Sequence, residues 1–398
     1  MYRLSPLLVA MVTASLGALV GRGEEVADAT PAARPRMTML ESSGEDPLAE
    51  VEKAAKRAVQ KARRAQRQAG AAPAPGPSRR DVAPAARQAA VERGARFLTA
   101  VQRTDGGWNS QGQAGGPADL ANTSIAGLAL LKAPDGKDVA GRDERVARAT
   151  HFVLRTVAEA GLPDRWQPAV VDGSVCGDLG LGSDAALAAL FLAEQAAAGR
   201  DEAVECRAAA GRLLEYVDRR LEEDPTAFRQ RAQGLTRAVA AHAAEVAGRG
   251  GVAVPENLLA RLVEGCPADQ QFYGQAARVG CLHAASRQAG GNPSDDAEAV
   301  AIFDKVMQPV LGDYHGRWPY GAGGEVFLSL MFLGAMLTDT GTPTAVEWSR
   351  DVDAMLVQAQ NQDGSWTGSS CINSRVFCTS SAMLVMGTAP PDGRVAAR

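Results

Sequence analysis

One phrase occurs twice in this chain, near opposite ends. Gln102-Arg103-Thr104-Asp105-Gly106-Gly107-Trp108 is echoed by Gln360-Asn361-Gln362-Asp363-Gly364-Ser365-Trp366. An apolar helical stretch precedes each copy, with Phe97, Leu98 and Val101 before the first and Met355, Leu356 and Val357 before the second. A polar loop and a small-residue helix follow each, opening at Thr123-Ser124 and at Thr379-Ser380. Such long-range self-similarity marks a repeat architecture, in which a unit buries its apolar face only against its neighbours. Asp105-Gly106 and Asp363-Gly364 read as tight turns in which Gly takes positive φ.

Between the two copies the helical pattern recurs in pairs. Amphipathic first helices start near Gly94, Thr150, Gly211, Glu256, Phe303 and Arg350. Small-residue second helices follow near Asn122, Ser183, Phe228, Gln271, Gly324 and Thr379. The second set is apolar on nearly every face, as in Ser183–Leu192 and Gly324–Leu333, and must be buried all round. The first set carries Arg and Glu along one side and faces solvent. No run alternates with period two, so little strand is expected. Six such pairs describe an all-α fold, an (α/α)6 toroid, over residues 87–390, with a tail at 391–398. Its Gly-rich loops gather at one end, where a ligand would enter.

The segment Gly94 to Trp108 (GARFLTAVQRTDGGW) resembles the QW repeat of the squalene-hopene cyclase and protein prenyltransferase β-subunit superfamily. So does Met355 to Trp366, followed by Arg375-Val376-Phe377-Cys378-Thr379, which is similar to that family's closing inner helix. The resemblance covers two stretches of about 35 residues each (about the length of one helical repeat). It implies a terpenoid-cyclase type of toroid, with Gln102 and Gln360 bracing a neighbouring helix end and Trp108 and Trp366 packing over the same turn. These four residues are read as structural.

The family's chemistry is not matched. Squalene-type cyclases use a DxDD acid, and none occurs here. Asp351-Val352-Asp353-Ala354 comes nearest and reads as a solvated helix N-terminus, where carboxylates suit the dipole. The prenyltransferase zinc site sets Cys two residues after Asp; Cys176-Gly177-Asp178 runs in the reverse order. Cys281-Leu282-His283 would sit on one helix, where i and i+2 point apart. Gly265-Cys266-Pro267-Ala268-Asp269-Gln270 is a poor relative of the thioester motif that the same toroid carries elsewhere. No metal site and no cofactor is expected.

Arg3, an apolar run from Leu4 to Val20, and a polar exit at Gly21–Glu25 have the form of a secretory signal peptide over residues 1–22. An exported protein of the periplasm, cell envelope or exterior is the expectation. Residues 23–86 are rich in Ala, Pro and charge and read as a disordered tether. Within it Lys53, Lys56, Arg57, Lys61, Arg63, Arg64 and Arg67 form a basic helical run. That run is either a solvated helix or a contact to an anionic membrane surface. Beyond it Asp and Glu outnumber Lys and Arg, which disfavours nucleic acid as a partner.

If the loop-rich end holds a site, the candidates are Tyr314, His315, Trp318, Tyr320 and Glu325, with Asp119 and Asp178 from neighbouring repeats. Each shortly precedes or opens a buried helix. Of six cysteines, Cys371 and Cys378 bracket a short loop and form the best disulfide candidate. The leading functional reading is a non-catalytic binding or scaffold module of the cell envelope, its partner a small hydrophobic ligand or an envelope protein. The alternatives are a prenyl- or terpenoid-acting enzyme with displaced catalytic residues, and a carbohydrate lyase or hydrolase.

Overall fold

The computed structural model describes residues 84–388, apart from 111, 113–115, 135–140, 161–174, 176–178, 180–181, 201, 225–233, 267–271, 292–300, 302–322, 341–342 and 369–371, and apart from the side chains of 337–347 and 388. These residues all belong to one unit, Pro73–Arg398. The expected signal peptide, and the tether up to residue 83, lie outside the described residues.

Among the described residues there are 11 helices and no strand. They are α1 (Pro84–Val101), α2 (Leu120–Lys132), α3 (Arg142–Glu159), α4 (Ser183–Ala197), α5 (Ala203–Glu223), α6 (Leu235–Arg249), α7 (Leu258–Glu264), α8 (Phe272–Gln288), α9 (Gly324–Thr340), α10 (Pro343–Ala359) and α11 (Arg375–Thr388). The all-α expectation holds. A lone bridge joins Trp108 to Asp119.

Two kinds of helix alternate, for the reason the sequence suggests. In α3 the buried positions are Val146, Ala149, Thr150, Phe152, Val153 and Val157, a single stripe at helical spacing. Asp143 and Glu144 occupy its first turn, where they suit the helix dipole. In α2 every residue from Leu120 to Leu130 is buried, and in α4 every residue from Ser183 to Ala193. Small residues make that enclosure feasible. A methyl group on Gly127 of α2 would stand 2.6 Å from the Phe191 ring of α4, so the ring occupies the space that a side chain would take.

The buried helices pack in chain order: α2 on α4, α4 on α6, α6 on α8, α8 on α9, and α9 on α11. α11 then packs on α2, so the order returns to its start. The amphipathic helices lie against this set, α3 on α2, α5 on α4, α7 on α6, and α10 on α9. α1 packs on α11, α10 and α2. The first and last repeats are thus spatial neighbours, as the paired phrases suggest.

Helix starts differ in a systematic way. The amphipathic α1, α3, α5 and α10 begin at Pro84, Arg142, Ala203 and Pro343, each ahead of its expected start. The fifth amphipathic start, Phe303, lies outside the described residues, as does Phe228; the third buried helix begins at Leu235.

This shift overturns one reading. Asp353 is not at a solvated N-terminus but well inside α10, and it is only 9% exposed. Its carboxylate pairs with Arg87 Nε of α1 at 3.4 Å. Burial pushes the Asp353 carboxyl up to about 6, against the pull of Arg87. Folded chains therefore hold its proton to higher pH than unfolded chains do. The group's contribution is fully present below the ordinary carboxylate range and is lost as pH rises through about 6. Relative to Asp353→Asn, the wild type should lose about 2 kcal/mol of stability between pH 4 and 7. Urea unfolding of both proteins at the two pH values measures this; a pH-independent difference would contradict it.

Candidate functional site

The two repeated turns are built alike. Gln102 Nε2 donates to the Gly106 carbonyl within its own turn at 2.8 Å and to the Arg145 carbonyl of α3 at 2.9 Å. Gln360 Nε2 donates to Gly364 and to Ala90 of α1, both at 2.8 Å. The Gln360 Oε1 accepts from Arg93 Nε at 2.9 Å. Asp105 Oδ1 accepts from the Gly107 N–H, and Asp363 Oδ1 from the Ser365 N–H. Each Trp is almost fully buried. Trp108 Nε1 donates to the Leu98 carbonyl at 2.9 Å, and Trp366 Nε1 to the Leu356 carbonyl at 2.8 Å. Their backbone N–H groups donate to Thr123 and Thr379 hydroxyls, each at 3.0 Å. All four repeat residues are thus engaged with backbone in the way structural residues are.

The expected mouth is partly described. Asp119 caps α2: its Oδ1 accepts from the Asn122 N–H at 2.8 Å, and its two oxygens accept from Asn122 Nδ2 at 3.1 and 2.9 Å. Burial pushes the Asp119 carboxyl up, and these bonds pull it back. Asn122 Oδ1 in turn accepts from the Ser374 hydroxyl at 2.6 Å. Ser374 opens α11, its oxygen accepting from the Phe377 N–H. Two residues earlier, the Ile372 N–H donates to Glu325 Oε2 at 3.3 Å, and the Ile372 carbonyl accepts from the Gly324 N–H at 2.8 Å. Tyr273 of α8 donates a longer bond, 3.5 Å, to Glu325 Oε1. One connected set of bonds therefore runs across the starts of α2, α11, α9 and α8.

Asp119 and Glu325 are brought to this set. Asp178, Tyr314, His315, Trp318 and Tyr320 lie outside the described residues. Asn122, Ser374 and Tyr273 were missed as site residues. Their signal was available, since each is a polar group in or just before the first turn of a buried helix. Both oxygens of Asp119 and of Glu325 already have donors. Among the described residues, each carboxylate is held by these internal donors.

Toward the C-terminal ends of α6 and α8 lies a second charged group. Glu245 is fully enclosed and pairs with Arg249 at 2.5 Å and Arg287 at 3.2 Å; His242 stands 3.8 Å away. Burial lowers the His242 pKa to about 4, with Glu245 opposing. Among the described residues no three His, Cys, Asp or Glu side chains stand close enough to share a metal ion. Cys281 turns toward Cys266, so the Cys281-Leu282-His283 segment splits between different neighbours. Cys378 is buried, its thiol donating to the Ile372 carbonyl at 3.6 Å. Its partner in the expected Cys371–Cys378 pair, Cys371, lies outside the described residues.

No protein-family model, curated protein or solved structure matches this chain.

Proposed function

We propose that the helical unit is an (α/α)6 toroid of the terpenoid-cyclase and prenyltransferase type, serving as a non-catalytic binding or scaffold module of the cell envelope. In this reading residues 1–22 direct export and residues 23–86 tether the module. The basic run at 53–67 then lies near the anionic envelope surface.

The observation that carries the non-catalytic reading is enclosure. Leu120–Leu130 of α2, Ser183–Ala193 of α4 and Val376–Met386 of α11 are buried on every face. A chamber for an isoprenoid chain would leave apolar faces of these helices open to a molecule of solvent size. A sugar-cleaving cleft would leave a carboxylate free to act as acid or base. Asp119 and Glu325 are instead held by internal donors. The return of packing from α11 to α2 supports the toroid, as do the two matched turns.

Purified full chain incubated with squalene or with farnesyl diphosphate is expected to leave both unchanged, with no rise in melting temperature. Product formation from either compound would overturn the non-catalytic reading, and saturable stabilisation without product would contradict the closed packing of the buried helices. Export is tested separately, with alkaline phosphatase fused after residue 86. Phosphatase activity in intact bacteria is expected, and inactive reporter would remove the export reading.

A further inference from the structure

We propose that Cys266 and Cys281 are joined as a disulfide when the chain folds in a thiol-oxidising compartment. The proposal rests on the export reading for its setting, and on the geometry of α7 and α8 for its chemistry.

Cys266 follows the end of α7, and Cys281 lies in the middle of α8. The two helices pack together. Both thiols are free and buried, at 4% and 0% exposure. One polar anchor fixes their approach. The Val263 carbonyl accepts from the Cys266 N–H at 3.2 Å and from Arg278 Nη1 at 2.6 Å. Arg278 sits one turn before Cys281 on the same face of α8. The anchor therefore holds the Cys281 turn of α8 against the last turn of α7. Cys266 is the neighbour that acts most strongly on the Cys281 thiol. Neighbouring thiols on two packed helices reach bonding distance by side-chain rotation where their Cα atoms stand within about 7 Å. Beside them, the buried Arg237 guanidinium packs where a side chain on Gly265 would otherwise stand.

The folded core encloses both sulfurs, so the bond forms before packing is complete. A low-molecular-weight disulfide such as oxidised glutathione supplies the oxidant. One cysteine thiolate attacks it, forming a mixed disulfide and releasing one small thiolate. The second cysteine thiolate attacks the protein sulfur and releases the other. Two electrons pass to the small disulfide, and the two protein thiol protons end on the small thiols.

The test uses the full chain, unfolded and reduced, then refolded with a mixture of oxidised and reduced glutathione. After acid quenching and alkylation, non-reducing digestion should yield a peptide pair joining Cys266 to Cys281, two hydrogens lighter than the separate peptides. The pair should vanish on reduction and in Cys281→Ser. A control refolded with reductant alone reports whether the fold is reached without the bond. Both cysteines alkylated in a natively helical product, or linkage elsewhere, would overturn the proposal. The phosphatase fusion keeps the two readings apart. A bridge formed in vitro with an inactive reporter fails only the export reading, and unbridged cysteines with an active reporter fail only this one.

Discussion

Trp366→Ala should lower the unfolding free energy by about 3–5 kcal/mol, the usual cost of truncating a buried Trp. The indole is 1% exposed and lies against Gly94 of α1, where an added methyl would come within 3.0 Å of the ring. Met383 reaches the same spot, but α1 presents only a glycine there, so a large part of the indole volume would be left empty. A second loss adds to the first. α10 ends at Ala359, so the Leu356 carbonyl is among the last four of the helix, which have no partner within it. Trp366 Nε1 supplies that partner. Trp108 does the same for Leu98 at the end of α1. Each Trp is therefore both core and C-terminal cap, which explains why the same residue recurs at the same distance after its helix. Trp366→Phe separates the parts. It keeps most of the volume and drops the donor, and should cost about 1–3 kcal/mol through the orphaned carbonyl. Urea unfolding followed by circular dichroism reads both variants, and an unchanged midpoint for Trp366→Ala would end the structural account of the repeat.

That dual role was only half legible in the sequence. Packing of Trp108 and Trp366 follows from the apolar residues before them, but the donor role needs the helix end, and helix ends were the weakest part of the reading. Asp353 shows the same fault in reverse. Placing the start of α10 at Arg350 made its carboxylate a solvated cap, whereas the true start at Pro343 turns it onto Arg87. Helix starts are hard to place because periodicity is carried by apolar residues alone. The buried helices were read more accurately, with Ser183 and Gly324 as their true first residues, because uninterrupted small and apolar runs leave few other fates. The mouth was legible by position and not by partner. Glu325 was singled out because it opens a buried helix, but its bonds to Ile372 and Tyr273 join residues far apart in sequence. The same holds for Cys266 and Cys281. Their proximity goes with Arg278 reaching Val263, a tertiary contact with no local signature.

Gly364→Ala is expected to destabilise by about 2–4 kcal/mol, although it adds a single methyl group. Two independent costs combine. Gly364 has φ +88, where an L-residue carries a steric penalty. Its Cα also presses on α1, so that a Cβ would collide with the Arg93 carbonyl oxygen. Backbone cannot rotate away as a flexible side chain can, so the turn must lift off the helix. Lifting it strains the Gln360 bonds to Ala90 and Arg93, the same bonds that fasten the last repeat to the first. Asn tolerates positive φ better than Ala but carries the same Cβ. Gly364→Asn should therefore recover at most the conformational part, about 1 kcal/mol, and leave the collision in place. Recovery of nearly all the lost stability by Asn would show that the close approach to Arg93 contributes nothing. Gly106 is the internal control, with φ +93 and a Cβ that would collide with the Arg148 carbonyl of α3. If the two turns are one structural device used twice, Gly106→Ala should cost about the same. The two variants then differ in which contact opens: Gly106→Ala loosens α3 from the first turn, and Gly364→Ala loosens the last turn from α1. Only the second breaks the contact between chain-distant repeats, so only it should raise susceptibility to proteolysis at both ends of the helical unit together.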